Sequence, residues 1–390
     1  MSENSNTKVG ILTLYYKNYN FGGLLQAYAL QKIVSDLGYE CEQIQYDYRS
    51  NDSNNRNILK SNFVTRLLIH CKYKLFPSEK YTHSMLLKKR KKQFDDFMDM
   101  IPHSQKVYTS EDVNCLNDRF DVFICGGDQV WNNWGGAVWY DTKALEVFLL
   151  DFVKKGKKAF AYAPSLGSSS IEENIKEKFN VALSKLDGIS IREESSVLEL
   201  EKVTGRKVET VLDPVFLLPK KTWEECFKIN HYKNHDAAIC YFLGNNVKGH
   251  EKVQEFLRKT GLKTVTFPYV ALGHVEEVDY FGDIQDFESG PIEFVKKIAN
   301  AEIIFTDSFH AVAFSIIFHK NFYVFAREKS NAGMNNRITD LLRAFKLEDR
   351  LISFEDLNNF IVNDIDYSLV DTIIEEKQEI SIAYLHRMLD

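Results

Sequence analysis

The sequence predicts an α/β fold of two parallel-sheet domains that face each other across a cleft. Three observations predict it. Short apolar runs recur, each followed by a glycine or polar loop and then by a stretch of helical spacing, as in residues 8–38 and 291–318. At 390 residues the chain suits two domains of medium size. Several reactive side chains fall at the carboxyl ends of the apolar runs, which is where open α/β sheets bind ligands.

The composition is that of an ordinary globular protein, 44% hydrophobic and 27% charged. A net charge of −6 gives no global electrostatic case for nucleic-acid binding. Six cysteines (41, 71, 115, 125, 226 and 240) are scattered without a CxxC pair, which argues against a disulfide framework or a zinc site. The start, MSENSNTK, has no apolar core and reads as no signal peptide. No apolar run approaches the ~20 residues needed to span a bilayer. A cytoplasmic protein is the expectation, with work at the inner face of the membrane as a variant. Aromatic residues reach 13%, which fits a large core and a ligand-stacking cleft.

Taken in order, KVGILTLY (8–15) is a buried first strand. A polar loop with Asn20 follows, then Gly22 and Gly23 at the head of a helical stretch that stops at Gly38. CEQIQYDY (41–48) is a second strand. The glycine pair at the helix start can offer backbone N–H groups to an anion. It lacks the GxGxxG pattern, so a dinucleotide is not inferred.

Residues 50–105 read as a helical insertion, with helices expected around 60–75 and 84–100. Residues 60–92 carry ten Lys or Arg and one acid, Glu79, a local net of about +9 against −6 for the whole chain. KKRKK (88–92) is either a solvated helix face or, from Lys88 to Lys92, a patch for an anionic membrane or a lipid-diphosphate substrate.

DVFICGGDQVWNNW (121–134) is a strand, a glycine turn, and then Asp128, Gln129, Trp131 and Asn132. Hydrogen-bonding groups beside an indole suit a hydroxyl-rich ligand. The plainer reading makes Asp128 a helix cap. KKAFAYAPSLGSSS (157–170) is the next strand and loop. DGISIREESSVLEL (187–200) ends its strand at Arg192, whose planar fork suits phosphate or carboxylate. A structural ion pair with Glu193 or Glu194 is the other reading.

The second domain is placed at residues 206–365, after a first domain of 1–205, with 366–390 as a helix packing back on the first. AAICYFLGNN (237–246), KTVTFPY (263–269), EIIFT (302–306) and FYVFA (322–326) are its strands. Phe-Thr-Asp-Ser-Phe-His (305–310) places Ser308 and His310 at a strand end. A histidine there exchanges protons near neutral pH. A buried histidine satisfied by one hydrogen bond is the alternative. Arg327 ends the next strand, and Lys329 and Arg337 follow in its loop.

NFGGLLQAYAL, CGGDQVWN, SIREESS, VLDPVFLL, TDSFHAVAFSI and NNRITDLL run in one order over roughly residues 8–345. Together they resemble the polysaccharide pyruvyl transferase family. That resemblance implies a GT-B-like pair of Rossmann-like domains, with the C-terminal domain carrying the donor site. It implies transfer of a pyruvyl group from phosphoenolpyruvate, as co-substrate, to hydroxyls of a saccharide or lipid-linked oligosaccharide in surface-polysaccharide assembly. The product is a ketal, and no metal or other cofactor is required. His310 matches the family's catalytic histidine, and Asp128 stands as its partner for the acceptor hydroxyl. Arg192 matches a donor-binding arginine, with Ser308, Arg327, Lys329 and Arg337 as further donor candidates. Asn20, Gly22, Gly23, Gln129, Trp131 and Asn132 stand for the acceptor side of the cleft. Some branches have an arginine two residues before the histidine; here that position is Ser308, which cannot neutralise a carboxylate.

Two other functions fit the same fold. A nucleotide-sugar glycosyltransferase would bind a nucleoside diphosphate in the C-terminal domain, with Glu288 or Glu293 on the ribose. A non-catalytic sugar- or anion-binding protein would keep its affinity when His310 is removed.

Overall fold

The computed structural model describes residues 7–49, 79–134, 137, 140–168, 170–231, 236–268, 281–327 and 335–390. Its strands form two six-stranded, all-parallel sheets. The first holds β1 (Lys8–Leu12), β2 (Glu40–Gln43), β3 (Val122–Gly126), β4 (Lys158–Tyr162), β5 (Gly188–Ile191) and β6 (Glu209–Thr210), in the order β2-β1-β3-β4-β5-β6. The second holds β7 (Ala237–Tyr241), β8 (Lys263–Thr266), β9 (Ile284–Gln285), β10 (Ile303–Thr306), β11 (Asn321–Phe325) and β12 (Leu351–Ile352), in the order β12-β11-β10-β7-β8-β9. The second is the Rossmann order, and both sheets reverse direction beside their first strand. The strands β3 and β10 are buried along their whole length, which is why they read as unbroken apolar runs.

The first sheet extends to Thr210, past the division expected after residue 205. The cause is β6, which pairs with β5 through Ser190–Glu209 and Ile191–Thr210. The connection to the second sheet then passes through Asp213 and a short 3₁₀ turn, Pro214–Leu217.

Eleven helices of α type surround the sheets among the described residues. Two matter most for the site. Helix α1 (Phe21–Asp36) starts where the loop after β1 ends. Asn20 caps it by accepting from Gly23 N at 3.1 Å. A long helix follows the insertion, α2 (Glu79–Met100). Then come α3 (Ala144–Phe148), α4 (Lys176–Leu183), α5 (Val197–Thr204), α6 (Lys220–Phe227), α7 (Val247–Thr260) and α8 (Pro291–Ala299). Helix α9 (Phe309–Ile317) leaves β10 directly and is buried along its whole length. Helices α10 (Asn335–Ala344) and α11 (Tyr367–Leu389) complete the chain.

One apolar cluster runs through both domains. Phe21 of α1 stacks on Phe294 of α8 and meets Tyr241 and Phe267 edge-on. Helix α2 adds a polar clasp. Arg90 is buried and donates to Pro268 O at 2.7 Å and to Asp286 O, while Gln93 engages Glu288 O and Gly290 N. Lys89 pairs with Glu288, Lys91 with Asp95 and Lys92 with Asp96. Four residues of the KKRKK stretch are solvent-exposed, as a solvated helix face requires, and Arg90 is the exception. Arg90 faces the second domain, and three of its neighbours have acidic partners. The expected helix at 60–75 lies outside the described residues. Helix α11 lies against the first sheet, where Tyr384 Oη donates to Ala161 O at 2.8 Å and Arg387 pairs with Glu209 at 2.7 Å. Among the described residues no helix is long and apolar enough to cross a membrane.

Candidate active site

The site forms where the two domains meet at the carboxyl ends of β3, β5 and β10. After β3 the chain turns through Gly127 and Asp128, both with positive φ, +75° and +53°. A side chain at Gly127 would put its Cβ 1.6 Å from Gln26 Oε1, so glycine is required there. Aspartate tolerates the left-handed backbone at 128 better than most side chains, and the turn aims its carboxylate into the site. It carries the carboxylate to Arg192 and Arg337, with Oδ1 3.6 Å from a guanidinium nitrogen of each.

Arg192 is the hub. Its Nη1 donates to Asp213 Oδ2 at 2.6 Å and its Nε to Glu193 Oε1 at 3.0 Å. Its guanidinium lies 4.0 Å from the ring centre of Phe309, the first residue of α9. Burial works against its charge, but Glu193, Asp213 and Asp128 together outweigh that and raise its pKa. The ion pair with Glu193 expected from the sequence is present, and Arg192 also lines the cavity beside Asp213.

Asp213 has no exposed side-chain surface. Burial alone would raise its pKa, yet the charges of His310 and Arg192 hold the carboxyl well below the usual range. His310 Nε2 lies 3.5 Å from Asp213 Oδ2, an ion-pair distance without hydrogen-bond geometry. Its Nδ1 faces the first turn of α1, where a Cβ on Gly22 would come within 2.0 Å. Arg337, on α10, is buried beside Gln129. With the Gln129 amide oxygen turned to it, Nη1 and Nη2 donate at 2.6 and 2.9 Å. Burial first, and then the charge of Arg192, press the Arg337 pKa down to about 10, so it stays charged at neutral pH.

Five buried polar atoms here have no hydrogen-bond partner in the protein: Asp128 Oδ1, Arg192 Nη2, Glu193 Oε2, His310 Nε2 and Arg337 Nε. Buried polar groups are ordinarily satisfied, and a cluster of exceptions marks a place built for something else. Three of the atoms belong to cationic or imidazole nitrogens and two to carboxylates. A cavity of about 70 Å³ opens beside Arg192, Glu193 and Arg337, with Asp213, Phe309 and Phe345 also in its lining.

The other expected residues divide. Asn20 caps α1, Gly23 lies beside Asn18, and Asn132 sits next to Gln129, accepting from Trp134 N at 3.0 Å. Trp131 is not at the cleft. It is 1% exposed, and its Nε1 donates to Phe148 O at 3.2 Å, because its apolar ring fills the core beside β3. Ser308 caps α9, its Oγ accepting from Ala311 N at 3.5 Å, which leaves its O–H free to donate. Arg327 does not line the Arg192 cavity, although its charge acts on Arg337. It donates to Asp307 O at 3.0 Å and lines a separate cavity of about 180 Å³ with Gly244, Asn245 and Asn246. Lys329 lies outside the described residues. Asp213 was missed as a site residue, although it stands in VLDPVFLL. An Asp before Pro reads as a local cap, which it also is, since Oδ1 accepts from Val215 N at 3.1 Å. Glu193 was read only as a structural partner of Arg192.

Fold and site together define a two-domain, parallel-sheet α/β protein with a histidine–carboxylate–arginine cluster buried where its domains meet. The chain belongs to the polysaccharide pyruvyl transferase family, whose sequence model matches residues 20–329. A search of curated proteins finds no match. Among solved structures it is similar to the UDP-GlcNAc 2-epimerase of Neisseria meningitidis bound to UDP-GlcNAc, at 12% identity and TM-score 0.43, covering 98% of this chain and 100% of that one. It is similar to the UDP-GlcNAc 2-epimerase of Methanocaldococcus jannaschii, at 10% identity and TM-score 0.48, covering 95% and 92%. It is also similar to the glycotransferase of kitacinnamycin, at 9% identity and TM-score 0.47, covering 98% and 99%. Likeness at this level bears on neither substrate nor chemistry.

Proposed function

We propose that the protein transfers the pyruvyl group of phosphoenolpyruvate to two hydroxyls of a sugar in a surface polysaccharide or its lipid-linked precursor. The observation that carries this reading is the set of five unsatisfied atoms around His310, nitrogens and carboxylate oxygens side by side. An anion takes the nitrogens, and sugar hydroxyls take the carboxylates.

In this reading His310 delivers a proton to the methylene carbon of phosphoenolpyruvate, which becomes the methyl group. The adjacent carbon turns cationic and is attacked by one hydroxyl. The second hydroxyl then takes the same carbon as its bond to the phosphate oxygen breaks, giving the ketal and phosphate. Arg192 and Arg337 hold the donor's anionic groups, and Asp128 takes a proton from an acceptor hydroxyl. Two guanidiniums face three carboxylates, so the side chains bring no surplus positive charge. A proton on His310 and the amino-terminal ends of α1 and α9 supply it. The scheme uses no metal and no other cofactor.

The rival reading, a nucleotide-sugar glycosyltransferase, draws on the cavity at the carboxyl ends of β7, β10 and β11. Calorimetric titration with phosphoenolpyruvate and with nucleotide-sugars separates the two. Saturable phosphoenolpyruvate binding that Arg192→Ala abolishes is the expected result. Nucleotide-sugar binding alone would transfer the assignment to the rival.

A further inference from the structure

His310 has two ring nitrogens in unlike surroundings. Nε2 is buried, without a hydrogen-bond partner, and lies 3.5 Å from Asp213 Oδ2. Nδ1 is not among the buried unpartnered atoms, and it lies at the first turn of α1 beside Gly22.

Asp213 is fixed on three sides. Its Oδ1 accepts from Val215 N at 3.1 Å, and its Oδ2 accepts from Arg192 Nη1 at 2.6 Å. The preceding residue is anchored as well, since Leu212 N donates to Ser381 Oγ of α11 and Leu212 O accepts from Tyr162 Oη, both at 3.0 Å. The carboxylate cannot swing away from the imidazole, and Arg192 keeps it ionised. A bare lone pair on Nε2 would then face a carboxylate oxygen at close range in a dry setting, which is repulsive. A proton on Nε2 turns that contact into an attraction.

We infer that Asp213 is a positioning residue which keeps a proton on His310 Nε2 and so fixes the tautomer and orientation of the imidazole. The inference rests on the pyruvyl-transfer reading only for what His310 does with that proton. The tautomer itself is a property of the free protein. Glycine at position 22 belongs to the same device, because any side chain there would push the imidazole from its place against α1. Asp213 does this from the connection between the domains, so the N-terminal sheet sets the tautomer of a residue carried by the C-terminal one.

The test is long-range ¹H–¹⁵N correlation on the full-length protein with ¹⁵N-labelled histidine, with His310 assigned by the signals missing from His310→Gln. The expected wild-type pattern is that, in the neutral form of the ring, the proton sits on Nε2. In Asp213→Asn that preference is lost, with a second tautomer appearing and turnover falling on the order of 100-fold or more. A neutral ring with its proton on Nδ1 in the wild type overturns the inference. An unchanged tautomer in folded Asp213→Asn overturns it too. If Asp213→Asn does not fold, the wild-type spectrum alone still decides. Because the spectrum needs no substrate, failure of the pyruvyl-transfer reading would show in the phosphoenolpyruvate titration and leave this result standing.

Discussion

Phe21 and Phe294 stack face to face across the domain junction, their ring centres 4.4 Å apart and their planes 6° from parallel. One ring opens helix α1 of the first domain and the other lies mid-way along α8 of the second. Both are buried. The contact lies within the one apolar cluster that runs through both domains. Phe21→Ala is expected to cost about 3–5 kcal/mol, as for other large-to-small changes at buried aromatics. Urea unfolding should then lose its single transition, with the domains melting apart. A single transition at the wild-type midpoint would show that the stack holds nothing.

Arg90 is the polar counterpart of that stack. Its guanidinium reaches two backbone carbonyls of the second domain, at Pro268 and Asp286. Arg90→Met keeps much of the side-chain bulk and removes the donors. A loss of about 1.5–3 kcal/mol is expected for each charged hydrogen bond broken. Arg90→Lys should restore little, since one ammonium cannot reproduce the planar fork. Denaturant midpoints of the two variants check this.

Gly22→Ala is expected to leave the fold intact and remove turnover. The added carbon would lie 2.0 Å from His310 Nδ1, so the imidazole must leave its place. Circular dichroism should match the wild type while phosphate release from phosphoenolpyruvate falls on the order of 100-fold. Normal release would mean that this face of the histidine is not used.

Asp213 gives a pH signature in stability. Its pKa in the folded protein is depressed, so its stabilising contribution is fully present above the ordinary carboxylate value of about 3.9. That contribution is lost as pH falls through the depressed value. Asp213→Asn should therefore be less stable than the wild type at neutral pH, and the gap should close in acid. A gap that stays constant from pH 7 to the acid limit would mean that Asp213 is not ionised in the fold.

Much of the architecture was legible in the sequence because parallel strands buried on both faces leave continuous apolar runs. VFICG and IIFT could be placed at once, and the residues after them came with the placement. Arg192, Asp128 and His310 were found in this way. What the sequence hid were partnerships across long separations. Trp131 follows a glycine loop like a ligand-stacking residue, but only the packing around Phe148 shows that it is core. Ser308 carries no sign that its hydroxyl is used by its own helix. Asp213 looks like a proline-side cap, and its contact with His310 spans the two domains. Arg90 sits in a run of five basic residues, and nothing local tells it from its exposed neighbours.

Helix α1 has consequences beyond its length. Its first residue carries the ring that locks the domains, and its second is the glycine against the histidine. A rotation of one domain that unstacked Phe21 would therefore withdraw the wall behind Nδ1 in the same movement. The residue that joins the domains and the residue that sets the place of the histidine are thus adjacent peptide units, so neither can be disturbed without the other.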